Sequence, residues 1–144
     1  MFERLKNLLG FPNARAQRDP VSISESNQIA RLIADAVQDQ LMLANRPTPA
    51  DWSRRARATV LGYIAAAGTA LTAGRGESRA LLISVVSSKY LLRDSFDVGR
   101  TLEELEHLAS SQDTDYLAGA KAGYRDARRL RERRPMRGLI PILH

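Results

Sequence analysis

Residues 58–74 read ATVLGYIAAAGTALTAG, a run of seventeen residues that contains no charged side chain. The run is shorter than the ~20 apolar residues that usually span a bilayer, and it is built mainly from alanine, glycine and threonine rather than leucine and isoleucine. Small residues recur at every fourth position, on one side of a helix, at Ala58, Gly62, Ala66, Ala70 and Gly74. We therefore predict the central helix of a bundle and no transmembrane span. The small-residue strip would let a second backbone approach closely.

The overall composition is that of a soluble, single-domain protein. The chain has 144 residues, of which 44% are hydrophobic and 26% charged, as is ordinary for globular domains. It contains no cysteine, which excludes disulfides, thiolate nucleophiles and zinc–thiolate sites. Only three of the 22 basic residues are lysine, so 19 are arginine, a bias typical of GC-rich bacterial genomes. The N-terminus lacks the features of a signal peptide, and we expect a location in the cytoplasm or peripherally at the membrane.

Helix start and stop signals recur along the chain and predict an all-α fold, a bundle of about five helices. Ser22 and Thr101 each begin an S/T-x-x-E capping box. Thr48 followed by Pro49 is a further N-terminal pattern. The run ALLISVVSSKYLL exceeds the length of a usual strand and has no neighbouring strand to pair with, so we assign it as helix. The predicted helices span residues 22–45, 49–73, 77–93, 101–109 and 113–134.

A short amphipathic helix is predicted ahead of the bundle. Phe2, Leu5 and Leu9 share one face of it, Gly10 ends it, and a proline-containing linker follows. Such a helix lies on an anionic membrane or docks into the groove of a partner, so we predict these three apolar residues as partner-binding. The chain is thus divided into an amphipathic segment with linker, a helical bundle domain and an apolar tail, at residues 1–21, 22–134 and 135–144.

Glu104 and His107 form a Glu-x-x-His pair, the spacing at which one helix supplies two ligands to a di-metal centre. Such a centre needs two of these pairs, and the only other histidine is His144. The capping box also engages the Glu104 carboxylate, and helical geometry points His107 away from the buried stripe centred on Leu105. We therefore predict no metal and no cofactor. No nucleophile motif is found either, so we predict no catalytic residues and no enzymatic activity.

The last predicted helix carries an apolar stripe and a basic cluster. The stripe, which we expect to face the core, comprises Tyr116, Leu117, Ala120, Gly123, Tyr124, Ala127 and Leu130. The basic cluster comprises Arg125, Arg128, Arg129, Arg131, Arg133 and Arg134. The cluster predicts anion or nucleic-acid binding through phosphate contacts, but no aromatic side chain is placed among the arginines for base stacking. The alternative interpretation is a solvated helix end, enriched in arginine by codon usage.

The C-terminal tail, residues 135–144, is strongly apolar, and its two prolines prevent a regular helix. The tail must be buried on its own bundle, on a second copy of the chain, on another protein or on a membrane surface. We predict a homodimer that buries Leu139, Ile140 and Leu143, since symmetric dimers are the commonest soluble assembly. The expected function is that of a non-enzymatic helical adaptor or regulatory protein acting through protein–protein contacts. Nucleic-acid binding by the basic cluster and peripheral membrane association through residues 1–11 are the alternatives.

Overall fold

The computed structural model describes residues 20–45, 48–49, 52–72, 77–132 and 136–143. Five α-helices lie within these ranges, with no strand among them, and a short 3₁₀ turn, Arg93–Ser95, follows the third helix. The predicted all-α bundle is thereby confirmed, whereas the amphipathic helix predicted near the N-terminus lies outside the described residues. The helices are α1 (Pro20–Leu43), α2 (Arg54–Leu71), α3 (Glu77–Leu92), α4 (Val98–Ser110) and α5 (Thr114–Arg131).

The first two helices start at residues other than those predicted. α1 begins at Pro20, so Ser22 lies inside the helix and the helix start predicted at Ser22 is wrong. Proline suits the first helical position because it has no backbone N–H that would need an acceptor. α2 begins at Arg54, later than predicted, and the Ser53 hydroxyl caps it by accepting a hydrogen bond from Ala56 N (3.1 Å). Serine is a stronger N-cap than the threonine on which the prediction relied.

The N-caps of the last two helices are both aspartates. At the start of α4, Asp97 Oδ1 accepts a hydrogen bond from Arg100 N (2.9 Å). Thr101 therefore lies one turn inside the helix, where it is buried, and the capping box predicted there is wrong. Aspartate is preferred to threonine at an N-cap. The start predicted for α5 is confirmed, because Asp113 Oδ1 accepts hydrogen bonds from two backbone N–H groups of its first turn (both 3.0 Å).

α2 and α5 run parallel and form the most extensive helix–helix contact. Gly119 lies against the backbone carbonyl of Thr59, and Gly123 lies against that of Tyr63, so the contacts advance along both helices in step. A Cβ atom at either glycine would overlap the carbonyl oxygen it faces. Gly62, a member of the predicted small-residue strip, meets the backbone of α5 in the same way. At Gly62 the strip does bring a second backbone close, and that backbone belongs to the same chain.

The other helices complete a main core and a smaller one. α1 packs antiparallel on α3, where Ser87 Oγ donates to Ala30 O (3.1 Å) and Tyr90 OH donates to Asn27 Oδ1 (2.9 Å). The main core joins α1, α2, α3 and α5 with the C-terminal tail, whereas the smaller core lies between α2, α3 and α4. The buried members of the smaller core are Ala58, Leu61, Val85, Leu102, Leu105 and Leu108.

The inward face of α5 differs from the predicted apolar stripe. Its buried residues are Gly119, Ala122, Gly123, Asp126, Ala127 and Leu130. Leu117 and Tyr124, which were both predicted to face the core, are instead 48% and 66% exposed. Close contact with α2 requires the side of the helix that lacks bulk, because interiors are densely packed. The glycines therefore face inward, and the large ring of Tyr124 faces outward.

Candidate interaction surface

A buried polar network joins α1, α2 and α5. Tyr63 OH donates a hydrogen bond to Asp126 Oδ2 (2.7 Å) and accepts one from Gln40 Nε2 (3.3 Å). All three side chains are buried. Burial and the hydrogen bond to the Asp126 carboxylate raise the pKa of Tyr63 far above its usual value, so the phenol keeps the proton that it donates. Buried polar groups are costly unless they are hydrogen-bonded, and the network therefore fixes how these three helices pack.

The C-terminal tail completes this network through its backbone. Gly138 N donates to Asp126 Oδ2 (3.0 Å), and Leu139 N donates to Gln40 Oε1 (2.8 Å). A Cβ atom on Gly138 would lie only 2.6 Å from Asp126 Oδ2, so a larger residue here would displace the Asp126 carboxylate from its present position. Sequence reasoning did not select Gln40, Tyr63 or Asp126 as a group. The sequence carried a signal for Gln40, which shares a helix face with Ile33, Val37 and Leu41. Asp126 lies outside the apolar stripe predicted for its helix.

The tail is folded back on its own bundle. Leu139 and Leu143 are buried in the main core, together with Met136, and Ile140 is half-buried. Two of the three tail residues that were predicted to bind a partner are thus occupied within the chain. The tail folds back because the bundle has an apolar surface for its side chains and two polar side chains that accept hydrogen bonds from its backbone N–H groups.

The opposite side of α5 is solvent-exposed and carries Leu117, Lys121, Tyr124, Arg125 and Arg128. We call it the outer face of α5. The spacing of its residues, i, i+4, i+7, i+8 and i+11, places them on one side of the helix over about 17 Å. Between Asp115 and Glu132 the helix carries a single carboxylate, Asp126, and this carboxylate is buried. The positive charge of the face is therefore not balanced within this stretch of α5.

The predicted basic cluster is exposed wherever the structure describes it. The exposed members are Arg125, Arg128, Arg129 and Arg131. Arg131 also donates from Nη2 to Ala70 O (2.8 Å), which satisfies a carbonyl near the end of α2. Arg133 and Arg134 lie outside the described residues. The expectation that no aromatic residue is placed among the arginines is wrong, because Tyr124 belongs to the outer face and not to the core.

Glu104 and His107, the pair with metal-ligand spacing, have separate environments. Both oxygens of Glu104 accept hydrogen bonds from Arg57, from Nε at 2.6 Å and from Nη2 at 2.9 Å. The carboxylate thus links α4 to α2, and its predicted capping role is wrong, whereas His107 is exposed. Across the described ranges, no three His, Cys, Asp or Glu side chains are grouped so as to hold a metal ion.

The predictions that concern membranes depend on residues 1–11, which include Phe2, Leu5 and Leu9. These residues lie outside the described part of the chain, so the partner-binding or membrane-binding role of the segment stays a prediction. Of the helices that are described, none combines the length and the apolar character needed to cross a bilayer.

The chain matches no model of a known protein family, no curated protein and no solved structure. Its function is therefore inferred from the geometry and charge of its own side chains.

Proposed function

We propose that this protein is a non-enzymatic helical adaptor or regulator that binds an acidic partner protein through the outer face of α5. The observation that carries the proposal is the composition of that face, in which three exposed cations surround two exposed apolar side chains. Tyrosine and arginine are, with tryptophan, the residue types most enriched among those that supply binding energy at protein interfaces. Leu117 and Tyr124 are two of the five large apolar side chains that are exposed in the described part of the chain, and these two share a helix face with the cations.

The spacing of the two apolar residues favours a helix as the binding element of the partner. Leu117 and Tyr124 are seven residues apart, which is two helical turns, so an amphipathic helix lying along α5 can contact both. Lys121, Arg125 and Arg128 lie beside this line and attract carboxylates placed opposite them. An acidic amphipathic helix has the pattern that matches the face in both respects.

The inner side of α5 supports the proposal by holding the outer face rigid. Gly119 and Gly123 fix the helix against α2, and Asp126 ties it to Tyr63 and to the backbone of the tail. A partner that binds here does not have to order the helix first. Such a rigid surface binds more tightly, because less conformational entropy is lost on association.

Single-stranded nucleic acid is the second candidate partner, and the exposure of Tyr124 is the observation that favours it. Arginines supply phosphate contacts, and an aromatic ring among them supplies a surface on which a base can stack. Leu117 argues for the protein partner, since an exposed leucine contributes little to phosphate or base recognition. We therefore rank an acidic amphipathic helix ahead of single-stranded nucleic acid as the partner.

Fluorescence anisotropy with two labelled probes tests the proposal. The probes are a glutamate-rich amphipathic helical peptide with leucines at heptad spacing and an oligothymidylate of about twenty nucleotides. We expect the double variant Arg125→Glu/Arg128→Glu to bind the peptide roughly tenfold more weakly or worse, because two attractions become repulsions. Tyr124→Ala should weaken binding as well, through loss of an apolar anchor. Arg54→Glu/Arg100→Glu, the same two charge reversals at exposed arginines of α2 and α4, is the matched control and should change binding by less than about threefold.

The two probes separate the candidate partners. Tighter binding of the oligothymidylate, with an affinity that falls steeply as salt rises, would replace the acidic helix by nucleic acid as the partner. An equal loss of peptide binding in the Arg54→Glu/Arg100→Glu control would show a general charge effect and reject the outer face of α5. Failure to bind either probe rejects both candidates.

A further inference from the structure

A cleft of about 490 Å³ opens on a side of the bundle formed by α2, α3 and α4. This volume falls in the range of about 300–1,000 Å³ that is typical of small-molecule sites. Tyr116, at the start of α5, is the residue that α5 contributes to it, so the cleft is separate from the outer face of α5. Its apolar wall comprises Ala65, Ala80, Leu81, Leu102, Leu105 and Ala109.

Most of the polar side chains in the cleft already have partners. The hydroxyls of Thr69, Ser84 and Ser110 each donate to a backbone carbonyl of their own helix, at 2.9, 2.9 and 3.2 Å. Two groups remain that have no hydrogen bond or ion pair to the described residues: the Tyr116 hydroxyl and the Glu106 carboxylate. Burial raises the pKa of Tyr116, so its hydroxyl stays protonated near neutral pH.

Glu106 is the only charged side chain that lines the cleft within the described residues. It is exposed, and the α4 positions one turn away on either side, 102, 103, 109 and 110, hold no cation. The cleft therefore combines an apolar wall with a carboxylate at its rim that α4 itself does not neutralise. A ligand that matches this wall needs an apolar body and a positive charge at one end.

We propose that this cleft binds an organic amine with an apolar body, whose ammonium group pairs with Glu106. The apolar body contacts the alanine and leucine side chains of α2, α3 and α4, and the Tyr116 hydroxyl is the remaining hydrogen-bonding group. A ligand of the same shape with a carboxylate in place of the amine is repelled by Glu106. The site does not depend on the function proposed for α5.

Three naphthalene probes that differ in one group test this site on the full-length protein. They are 1-naphthylmethylamine, 1-naphthalenemethanol and 1-naphthoate, which are cationic, neutral and anionic at pH 7. In two-dimensional NMR titrations we expect shifts at the amides of Ala65, Leu81 and Ala109. The amine should bind roughly threefold or more tightly than the alcohol, the size of effect that a solvent-accessible ion pair gives, and the acid should bind most weakly.

Two substitutions and a matched control locate the binding. Glu106→Gln should abolish the preference for the amine and leave the affinity for the alcohol unchanged. Glu103→Gln, which removes a carboxylate of α4 that does not line the cleft, should preserve that preference. Ala109→Phe should weaken all three probes, because the ring occupies the cleft. Glu106, Glu103 and Ala109 are exposed, and unchanged thermal unfolding of each variant checks that the fold is retained.

Several results would overturn the assignment. One is equal affinity of the three probes, and another is a preference for the amine that survives Glu106→Gln. Binding that is unaffected by Ala109→Phe would place the probes elsewhere on the protein. Absence of amide shifts at millimolar probe concentrations would show that the cleft does not bind this class of ligand.

Discussion

The hydroxyl of Tyr63 connects polar groups from distant parts of the chain. It donates to Asp126 and accepts from Gln40, where all three side chains are buried. A buried group that loses its hydrogen-bond partner costs about 1–3 kcal/mol. The network therefore favours one arrangement of α1, α2 and α5, because a shift of any of these helices would leave several buried polar groups unpaired.

Tyr63→Phe is expected to lower the free energy of unfolding by roughly 1–3 kcal/mol, because Asp126 loses a donor while the aromatic ring stays in place. Urea denaturation followed by circular dichroism at pH 7 measures this. Tyr124→Phe is the matched control, since it removes the same hydroxyl from an exposed side chain, and its effect should stay within about 0.5 kcal/mol. Equal effects of the two substitutions would contradict the buried network.

The same variant reveals the raised pKa of Tyr63. The folded chain holds this phenolic proton more tightly than the unfolded chain, whose tyrosines titrate near pH 10. The contribution of Tyr63 to stability is therefore complete below about pH 10 and declines as the pH rises further, because the unfolded state ionises first. Above about pH 10 the original chain should lose stability more steeply than Tyr63→Phe, by up to ~1.4 kcal/mol per pH unit. Parallel slopes would contradict the raised pKa.

At the scale of the secondary-structure elements, α5 has two faces with different roles. Its inward face carries glycines that allow contact with the backbone of α2. The outer face of α5 carries the exposed cations together with Leu117 and Tyr124. The same helix therefore supports the core and presents the proposed interaction surface, so substitutions on its two sides should have separable effects on stability and on binding.

Gly119→Ala is expected to destabilise the protein by roughly 1–3 kcal/mol, because the added Cβ atom meets the backbone carbonyl of Thr59 and the helices have to separate. This loss opposes a gain of ~1 kcal/mol in helix propensity. Gly99→Ala is the matched control, because the nearest atom to its Cβ would be Asp97 Oδ1 at an ordinary 3.5 Å. We expect the control to be neutral or slightly stabilising in thermal denaturation. A stabilised Gly119→Ala variant would show that α2 and α5 are not in this contact.

At the scale of the whole molecule, the tail closes the main core. A chain that ends at Arg134 lacks buried Leu139 and Leu143 and the two backbone donors that reach Gln40 and Asp126. We expect it to be less stable by more than about 3 kcal/mol, given the cost of removing even one buried leucine. Truncation would also expose the apolar surface that the tail covers. The truncated chain should therefore self-associate more than the full chain in sedimentation velocity. A full-chain dimer that becomes a monomer on truncation would contradict the tail as an intramolecular element.

Self-association of the full chain stays a prediction, and the structure changes which surface would mediate it. The buried tail leucines and Gly62 are engaged within the chain, and the cations on the outer face of α5 would repel the same face of a second copy. Met42 and Leu43, at the end of α1, are 60% and 69% exposed and offer an apolar surface of another kind. Sedimentation velocity of a Leu43→Lys variant beside the full chain tests this surface. The variant should self-associate less than the full chain if Leu43 lies in the contact.

The sequence by itself determined the helical class, the order of the helices and the approximate extent of α3 and α5, because these depend on local periodicity and on nearby caps. It did not determine the starts of α1 and α4. There Ser22 and Thr101 offered plausible caps, but the helices begin earlier, at Pro20 and behind Asp97. At α4 the stronger of the two local caps, Asp97, sets the start.

Only the tertiary structure decided which face of α5 is buried and where the tail lies. Leu117 and Tyr124 are large side chains of the kind that a core often contains. Nothing near them in sequence indicates that the contact between α2 and α5 requires glycines instead. The hydrogen bond from Leu139 N to Gln40 spans 99 residues. Such a contact depends on a shape and a pair of polar groups that exist only after the helices have packed.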